Sequence, residues 1–162
     1  MTLNEVILYM EKEDTSAVVG IISRAMNREE GVCARKTIEQ HHLLKYHGEE
    51  EGRSYYVVKV NGKVIGITGL HKELWVAGDS VCMGWFALDP EYQRRGIGSR
   101  MMERTIWIAR EKGFKRLFVE TYTGDDFESA RNFYEKFGFE KAGEIKDYVR
   151  EGVNKIMYSK LL

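Results

Sequence analysis

The 162-residue chain has one proline, two cysteines and no net charge, because 25 lysines and arginines balance 25 aspartates and glutamates. One proline and no serine-rich or glycine-rich tract argue against a flexible linker, so we expect a single domain over residues 1–162. The charge balance disfavours a module that binds nucleic acid or an anionic membrane. No apolar run is long enough to cross a bilayer and no signal-peptide pattern is present, which predicts a cytoplasmic protein.

Metal chemistry is also disfavoured. His41 and His42 are neighbours and point to different sides of a helix, and the sequence has no C-x-x-C or H-E-x-x-H motif. Cys33 and Cys82 are isolated thiols in unrelated contexts, as expected in a reducing compartment. The sequence therefore predicts no metal site.

The most informative segment is Gln93-Arg94-Arg95-Gly96-Ile97-Gly98-Ser99, called the glycine loop below. A strand-like run ending in Asp89-Pro90 precedes it, and an amphipathic helical pattern follows it. The first N–H groups of a helix lack intrahelical acceptors and the macrodipole is positive there, so an anion is stabilised. Gly96 and Gly98 allow close approach to the main chain, although a tightly packed turn would use the same glycines.

The apolar pattern predicts alternating strands and helices. Asn61-Gly62 is a strong signal for a two-residue hairpin, and Asn27–Gly31 is interpreted as a break between the first two helices. Expected strands cover residues 6–9, 55–60, 64–70, 81–88, 117–121, 140–145 and 155–158. A first helix is expected to begin at Asp14 or Thr15. Further helices are expected over residues 37–46, 97 to about 112, and 129–137.

The string Q-R-R-G-I-G-S-R-M-M after A-L-D-P-E-Y resembles the acetyl-CoA pyrophosphate loop of the GNAT superfamily of N-acetyltransferases. The order of elements also matches that fold. The resemblance implies an α/β (α+β) protein with a mixed, mostly antiparallel central sheet, splayed between strands 4 and 5 and flanked by about four helices. It implies that acetyl-CoA is the cosubstrate, that the glycine loop holds its pyrophosphate, and that the segment Phe86-Ala87-Leu88 lines its pantetheine and polarises the thioester.

The string A-R-N-F-Y-E-K-F-G-F resembles the second motif of the same superfamily, A-x-x-x-Y-x-x-x-G-F. Residues at this helical spacing are usually core residues, and this alternative remains open for Tyr134. The resemblance implies that Tyr134 donates a proton to the leaving thiolate of coenzyme A. Phe127 occupies the position where many relatives have an asparagine that contacts the cofactor, and Asn132 is kept as a candidate cofactor contact.

Glu120 is the candidate general base. It ends a predicted strand beside the splay and resembles a glutamate of the ribosomal-protein N-terminal acetyltransferases. An apolar cleft would raise its pKa towards that of a useful base. A solvated carboxylate at a strand end is the alternative interpretation.

These observations predict transfer of an acetyl group from acetyl-CoA to a primary amine of a small molecule or a protein N-terminus, through a direct ternary complex. The alternative is a non-catalytic module that binds or senses acyl-CoA. The family resemblance also raises the possibility of a homodimer. In this fold the acceptor wall is usually formed by the first two helices, the loop after the third strand and the closing hairpin, and the sequence does not identify the amine.

Overall fold

The computed structural model describes residues 4–75 and 77–162. Within these residues there are eight strands and four α-helices, in the order β-α-α-β-β-β-β-α-β-α-β-β. The strands are β1 (Glu5–Tyr9), β2 (Arg53–Val60), β3 (Lys63–His71), β4 (Ser80–Met83), β5 (Ala87–Leu88), β6 (Arg116–Tyr122), β7 (Glu140–Arg150) and β8 (Val153–Leu161). The helices are α1 (Thr15–Ala25), α2 (Arg28–Tyr46), α3 (Ile97–Glu111) and α4 (Glu128–Lys136).

The strands form one mixed sheet in the order β1-β2-β3-β4-β6-β8-β7, with β5 paired to β3. All the pairings are antiparallel except that of β4 with β6. The predicted hairpin is present, because Asn61 and Gly62 both have positive φ (50° and 80°) between β2 and β3. The fold class predicted from the sequence is therefore confirmed.

Neighbouring residues of a strand point to opposite sides of the sheet, so both of its faces carry apolar side chains. Helices cover both faces. Tyr55 and Val57 of β2 pack with α1 and α2. Tyr56 lies in the core formed with α3 and α4, and Val58 packs against the start of α3. The two layers place the N-terminus of α3 and the buried side of α4 on the same face of the sheet.

The sheet splits where the chain leaves β4 and β6. These two strands pair in parallel only over Ser80–Cys82 and Arg116–Phe118. Beyond it, β5 pairs with β3, whereas residues 119–122 of β6 pair with β8. Among the described residues no pairing joins β5 to β6, so the facing edges of these two strands are open. The predicted splay is confirmed.

The predicted strand over residues 81–88 is wrong in its continuity. Residues 84–86 separate β4 from β5, and the N–H of Gly84 donates to the carbonyl of Gly69 at 2.8 Å. Phe86 therefore lies just before β5 rather than within a strand. The interruption could not be predicted from the apolar run, because a buried strand and a buried irregular segment have similar amino-acid composition.

The predicted break over residues 27–31 is also wrong, because α2 begins at Arg28 instead of Thr37. The side chain of Asn27 accepts from the N–H of Glu30 at 2.8 Å and caps the helix. Gly31 lies inside α2, and a Cβ on it would come within 1.9 Å of Ser23 Oγ. This glycine therefore allows α1 and α2 to approach closely.

The closing strands are longer than predicted and are joined at Glu151-Gly152. Every residue of β7 is exposed. Of the helices in the described part, not one combines the length and the apolar character needed to span a bilayer.

Candidate active site

The glycine loop turns the chain from β5 into the N-terminus of α3. Gly96 is the N-cap residue of α3 and has φ 76°. The first hydrogen bond of the helix runs from the N–H of Arg100 to the carbonyl of Gly96. Arg94 also has positive φ (60°), a conformation that is uncommon for a residue with a Cβ. Ile97 is fully buried, whereas Gly98 and Ser99 are half-buried. The N–H groups of residues 97–99 come before the first intrahelical hydrogen bond, so they have no acceptor within α3.

Two side chains, those of Gln93 and Asp89, fix the connection between β5 and the glycine loop. The amide of Gln93 donates to the carbonyl of Leu88 at 3.0 Å, which ties the loop to the end of β5. Asp89 is buried and accepts from Arg24 of α1 at 2.6 Å. Burial alone would raise the pKa of Asp89, but the hydrogen bonds from Arg24 and the N–H of Glu91 outweigh it and hold the pKa below its ordinary value.

Arg94 and Arg95 supply positive charge at the same place. Both are exposed, and no ion pair among the described residues involves either of them. The guanidinium of Arg95 lies 5.6 Å from the ring of Tyr92. Two cations beside a helix N-terminus form a site suited to a phosphate-like anion.

A Cβ on Gly98 would lie 4.0 Å from the side chains of Leu88 and Phe133, and Ser99 is half-buried beside it. Leu88 and Ala87 are buried and pair with β3 on one side only. The glycine loop thus continues into the open edge of β5, which can accept an extended chain as a further strand would.

Phe133 connects the glycine loop to the split, and sequence analysis did not select it. Its ring centroid lies 5.8 Å from that of Phe86 and 6.1 Å from that of Tyr134. A Cβ on Gly98 would also touch this ring. The available signal was its position on the apolar face of the motif helix, directly before the tyrosine.

Tyr134 lies in the core beneath the split. Only 5% of the residue is exposed, and its ring packs against Phe139 and Tyr158. Burial raises the pKa of Tyr134 above its ordinary value. The hydroxyl therefore stays protonated at physiological pH and can act as a proton donor. A core position and an acid role are compatible here.

Asn132 lies away from Tyr134, and Phe127 packs at the end of β6. Asn132 is exposed, and a separation of two residues places it on the opposite side of α4 from Tyr134. Phe127 packs against Tyr122 with ring centroids 5.1 Å apart. The neighbouring Arg131 donates to the carbonyls of Tyr122 and Gly124, which ties α4 to the end of β6.

Glu120 projects from β6 on the opposite face of the sheet from Val119, which is in the core. Its carboxylate accepts from Lys155 of β8 at 2.7 Å, and 43% of its side chain is exposed. The environment is therefore polar and ion-paired, and the expectation of an apolar cleft around Glu120 is wrong. On this face the carboxylate lies across the sheet from Tyr134.

The profile of the Acetyltransferase (GNAT) family matches residues 8–139. An uncharacterised N-acetyltransferase of Methanocaldococcus jannaschii is 28% identical over 106 residues, which cover 63% of this chain and 45% of that protein. The chain thus spans less than half the length of this curated relative.

Solved structures share the fold. A GNAT-family protein from Desulfovibrio desulfuricans has a TM-score of 0.85 at 20% identity, covering 97% of this chain and 98% of the other. A GNAT acetyltransferase of Elizabethkingia anophelis with bound acetyl-CoA has a TM-score of 0.73 at 17% identity, covering 98% and 99%. With the family profile spanning most of the sequence, the chain belongs to the Acetyltransferase (GNAT) family.

Proposed function

We propose that the chain transfers the acetyl group of acetyl-CoA to a primary amine of a small molecule or a protein N-terminus. The observation that carries this proposal is the continuous path from the helix N-terminus at Gly96, along the open edge of β5, to the split above Tyr134. At one end the path has a positively charged site that suits an anion, and at the other end it has a buried proton donor. Bound acetyl-CoA in the Elizabethkingia structure supports the choice of donor.

The residues present fit that donor. The amides of Ile97, Gly98 and Ser99 and the cations Arg94 and Arg95 would hold its pyrophosphate. Residues 86–88 would hydrogen-bond the pantetheine through their main chain, and the ring of Phe133 would close the side of this channel. Gln93 would act indirectly, since its amide is engaged by Leu88.

The proposed reaction forms a C–N bond and breaks a C–S bond. The amine nitrogen attacks the thioester carbonyl and loses a proton to Glu120, directly or through a water, while Tyr134 protonates the departing thiolate. A main-chain N–H of residues 86–88 would stabilise the oxyanion. Burial, followed by the negative charge of Glu120, raises the pKa of the Cys82 thiol, which disfavours a thiolate nucleophile and supports direct transfer.

The test measures acetyl-CoA consumption with spermidine, an alanine-initiated peptide, an N-blocked lysine peptide, L-methionine and kanamycin. At least one amine should yield an N-acetyl product identified by mass spectrometry, and Glu120→Gln should lower its turnover while leaving acetyl-CoA affinity unchanged. Tight acetyl-CoA binding without turnover on a broader amine library would favour the non-catalytic module instead. The homodimer, the cytoplasmic location, the single domain and the contact from Asn132 stay predictions.

A further inference from the structure

Lys155 binds the carboxylate assigned here as the base. It pairs in register with Tyr122, and Met157 pairs with Glu120, so Lys155 is a diagonal cross-strand neighbour of that carboxylate. Its Nζ lies 2.7 Å from Glu120 Oε2 and 4.6 Å from the ring centroid of Tyr148 on β7. Only 14% of the Lys155 side chain is exposed, against 43% for Glu120. The ammonium is therefore held between a carboxylate and an aromatic face.

Other titratable groups surround this ion pair. Tyr148 of β7 and Tyr122 of β6 act on Lys155, and the charge of Glu120 acts on Tyr122, on His71 of β3 and on Cys82 of β4. The same groups also feel Glu73, Glu51 and Arg53 at His71, Glu73 and Lys72 at Cys82, and Glu30 at Tyr122. Burial lowers the pKa of His71 and raises that of Cys82, so both favour their neutral forms. Among the described residues, Lys155 is the cation that forms an ion pair with Glu120.

We infer that Lys155 is a positioning residue that holds the Glu120 carboxylate in one orientation beside the split. This inference rests on the proposed function. A general base must lie within reach of the proton it accepts, and a charge-assisted hydrogen bond restricts where a carboxylate can lie. The ring of Tyr148 restricts the ammonium further through a cation–π contact.

Lys155 itself is suited to remain charged. Burial alone would lower the pKa of Lys155, but the hydrogen bond and negative charge of Glu120 outweigh it and raise the pKa above its ordinary value. The pair therefore persists across the pH range in which an amine can be acetylated. Lys155→Met would remove the charge and retain much of the side-chain volume, whereas Lys155→Arg would keep the charge.

The first experiment compares crystal structures of the wild type and the variants, and needs no acceptor. In Lys155→Met the Glu120 carboxylate should lose its single position, because the ammonium that binds it is removed. Lys155→Arg should restore that position. Lys160→Met is the matched control, since Lys160 is on the same strand and no ion pair among the described residues involves it. An unchanged carboxylate position in Lys155→Met would overturn the inference.

The second experiment measures kcat and the KM for acetyl-CoA with the best amine of the panel above. Lys155→Met should lower kcat by about tenfold with an unchanged KM for acetyl-CoA, because the base is no longer held in position, and Lys155→Arg should recover it. Full activity of Glu120→Gln would refute the proposed base. If Glu120→Gln is inactive but kcat is unchanged in Lys155→Met, the proposed base stands and the role of Lys155 is refuted.

Discussion

Arg24 donates a hydrogen bond of 2.6 Å to the carboxylate of Asp89, which joins α1 to the turn that begins the glycine loop. The carboxylate is buried, whereas 56% of the Arg24 side chain is exposed. Asp89 also accepts from the N–H of Glu91, and its own N–H donates to the carbonyl of Ile65. Through its side chain and its main-chain N–H, Asp89 therefore connects a helix, a central strand and the path into the candidate anion site.

Asp89→Asn should destabilise the protein by about 1 kcal/mol at pH 7, because it removes the charge and keeps the size. The folded-state pKa of Asp89 lies below its ordinary value. Its contribution is therefore fully present above the unfolded value near pH 4, and is lost as the pH falls through the lower folded value. Urea denaturation at pH 7 and pH 3 checks this. A difference of the same size at both pH values would contradict the ionic explanation.

The glycine loop could be predicted from the sequence because its conformation depends on residues that are neighbours along the chain. Gly96 and Gly98 require only a turn and a helix start, and both are present. The environment of Glu120 could not be predicted in the same way. Lys155 is 35 positions along the chain, and the contact depends on the diagonal register of β6 and β8. Gly31 shows the same limit, since its role in helix packing depends on Ser23 of another helix.

Gly98→Ala should weaken acetyl-CoA binding without harming the fold. A Cβ there would make only ordinary contacts at 4.0 Å, and alanine favours helix more than glycine does. The methyl group would nevertheless occupy the space that a pyrophosphate needs beside the main chain. Calorimetry should show a loss of affinity of about tenfold or more, with an unchanged or slightly higher melting temperature. Unchanged affinity would remove Gly98 from the binding site.

Gly96→Ala should weaken binding and also reduce stability, since the left-handed conformation at φ 76° costs about 1 kcal/mol for a residue with a Cβ. Gly113→Ala is the control. Gly113 follows α3 with φ 84°, and a Cβ on it would meet nothing within 4 Å. Both variants should lose similar stability in urea denaturation, but only Gly96→Ala should lose acetyl-CoA affinity. Equal affinities in the two variants would place the anion elsewhere.

Phe133→Ala should lower acetyl-CoA affinity more than its effect on stability explains. The ring lies 4.0 Å from where a Cβ on Gly98 would be and packs against Phe86, so its removal should widen the space between the glycine loop and the split. Phe137→Ala is the control, since Phe137 lies one turn later on the same partly buried side, 4.9 Å from Phe133. Both should destabilise the protein by a few kcal/mol. Calorimetry at a temperature where both variants are folded should show weaker binding for Phe133→Ala alone.

Tyr134→Phe should lower kcat by about tenfold to a thousandfold while leaving acetyl-CoA affinity and stability nearly unchanged. The substitution removes one hydroxyl and preserves the ring that packs against Phe139. Tyr158→Phe is the matched control, because Tyr158 is also buried in this core but its hydroxyl donates to Glu135. Since burial raises the pKa of Tyr134, the wild-type enzyme should keep its proton donor, and therefore its activity, above pH 9. Equal loss of turnover in both variants would assign Tyr134 a packing role only.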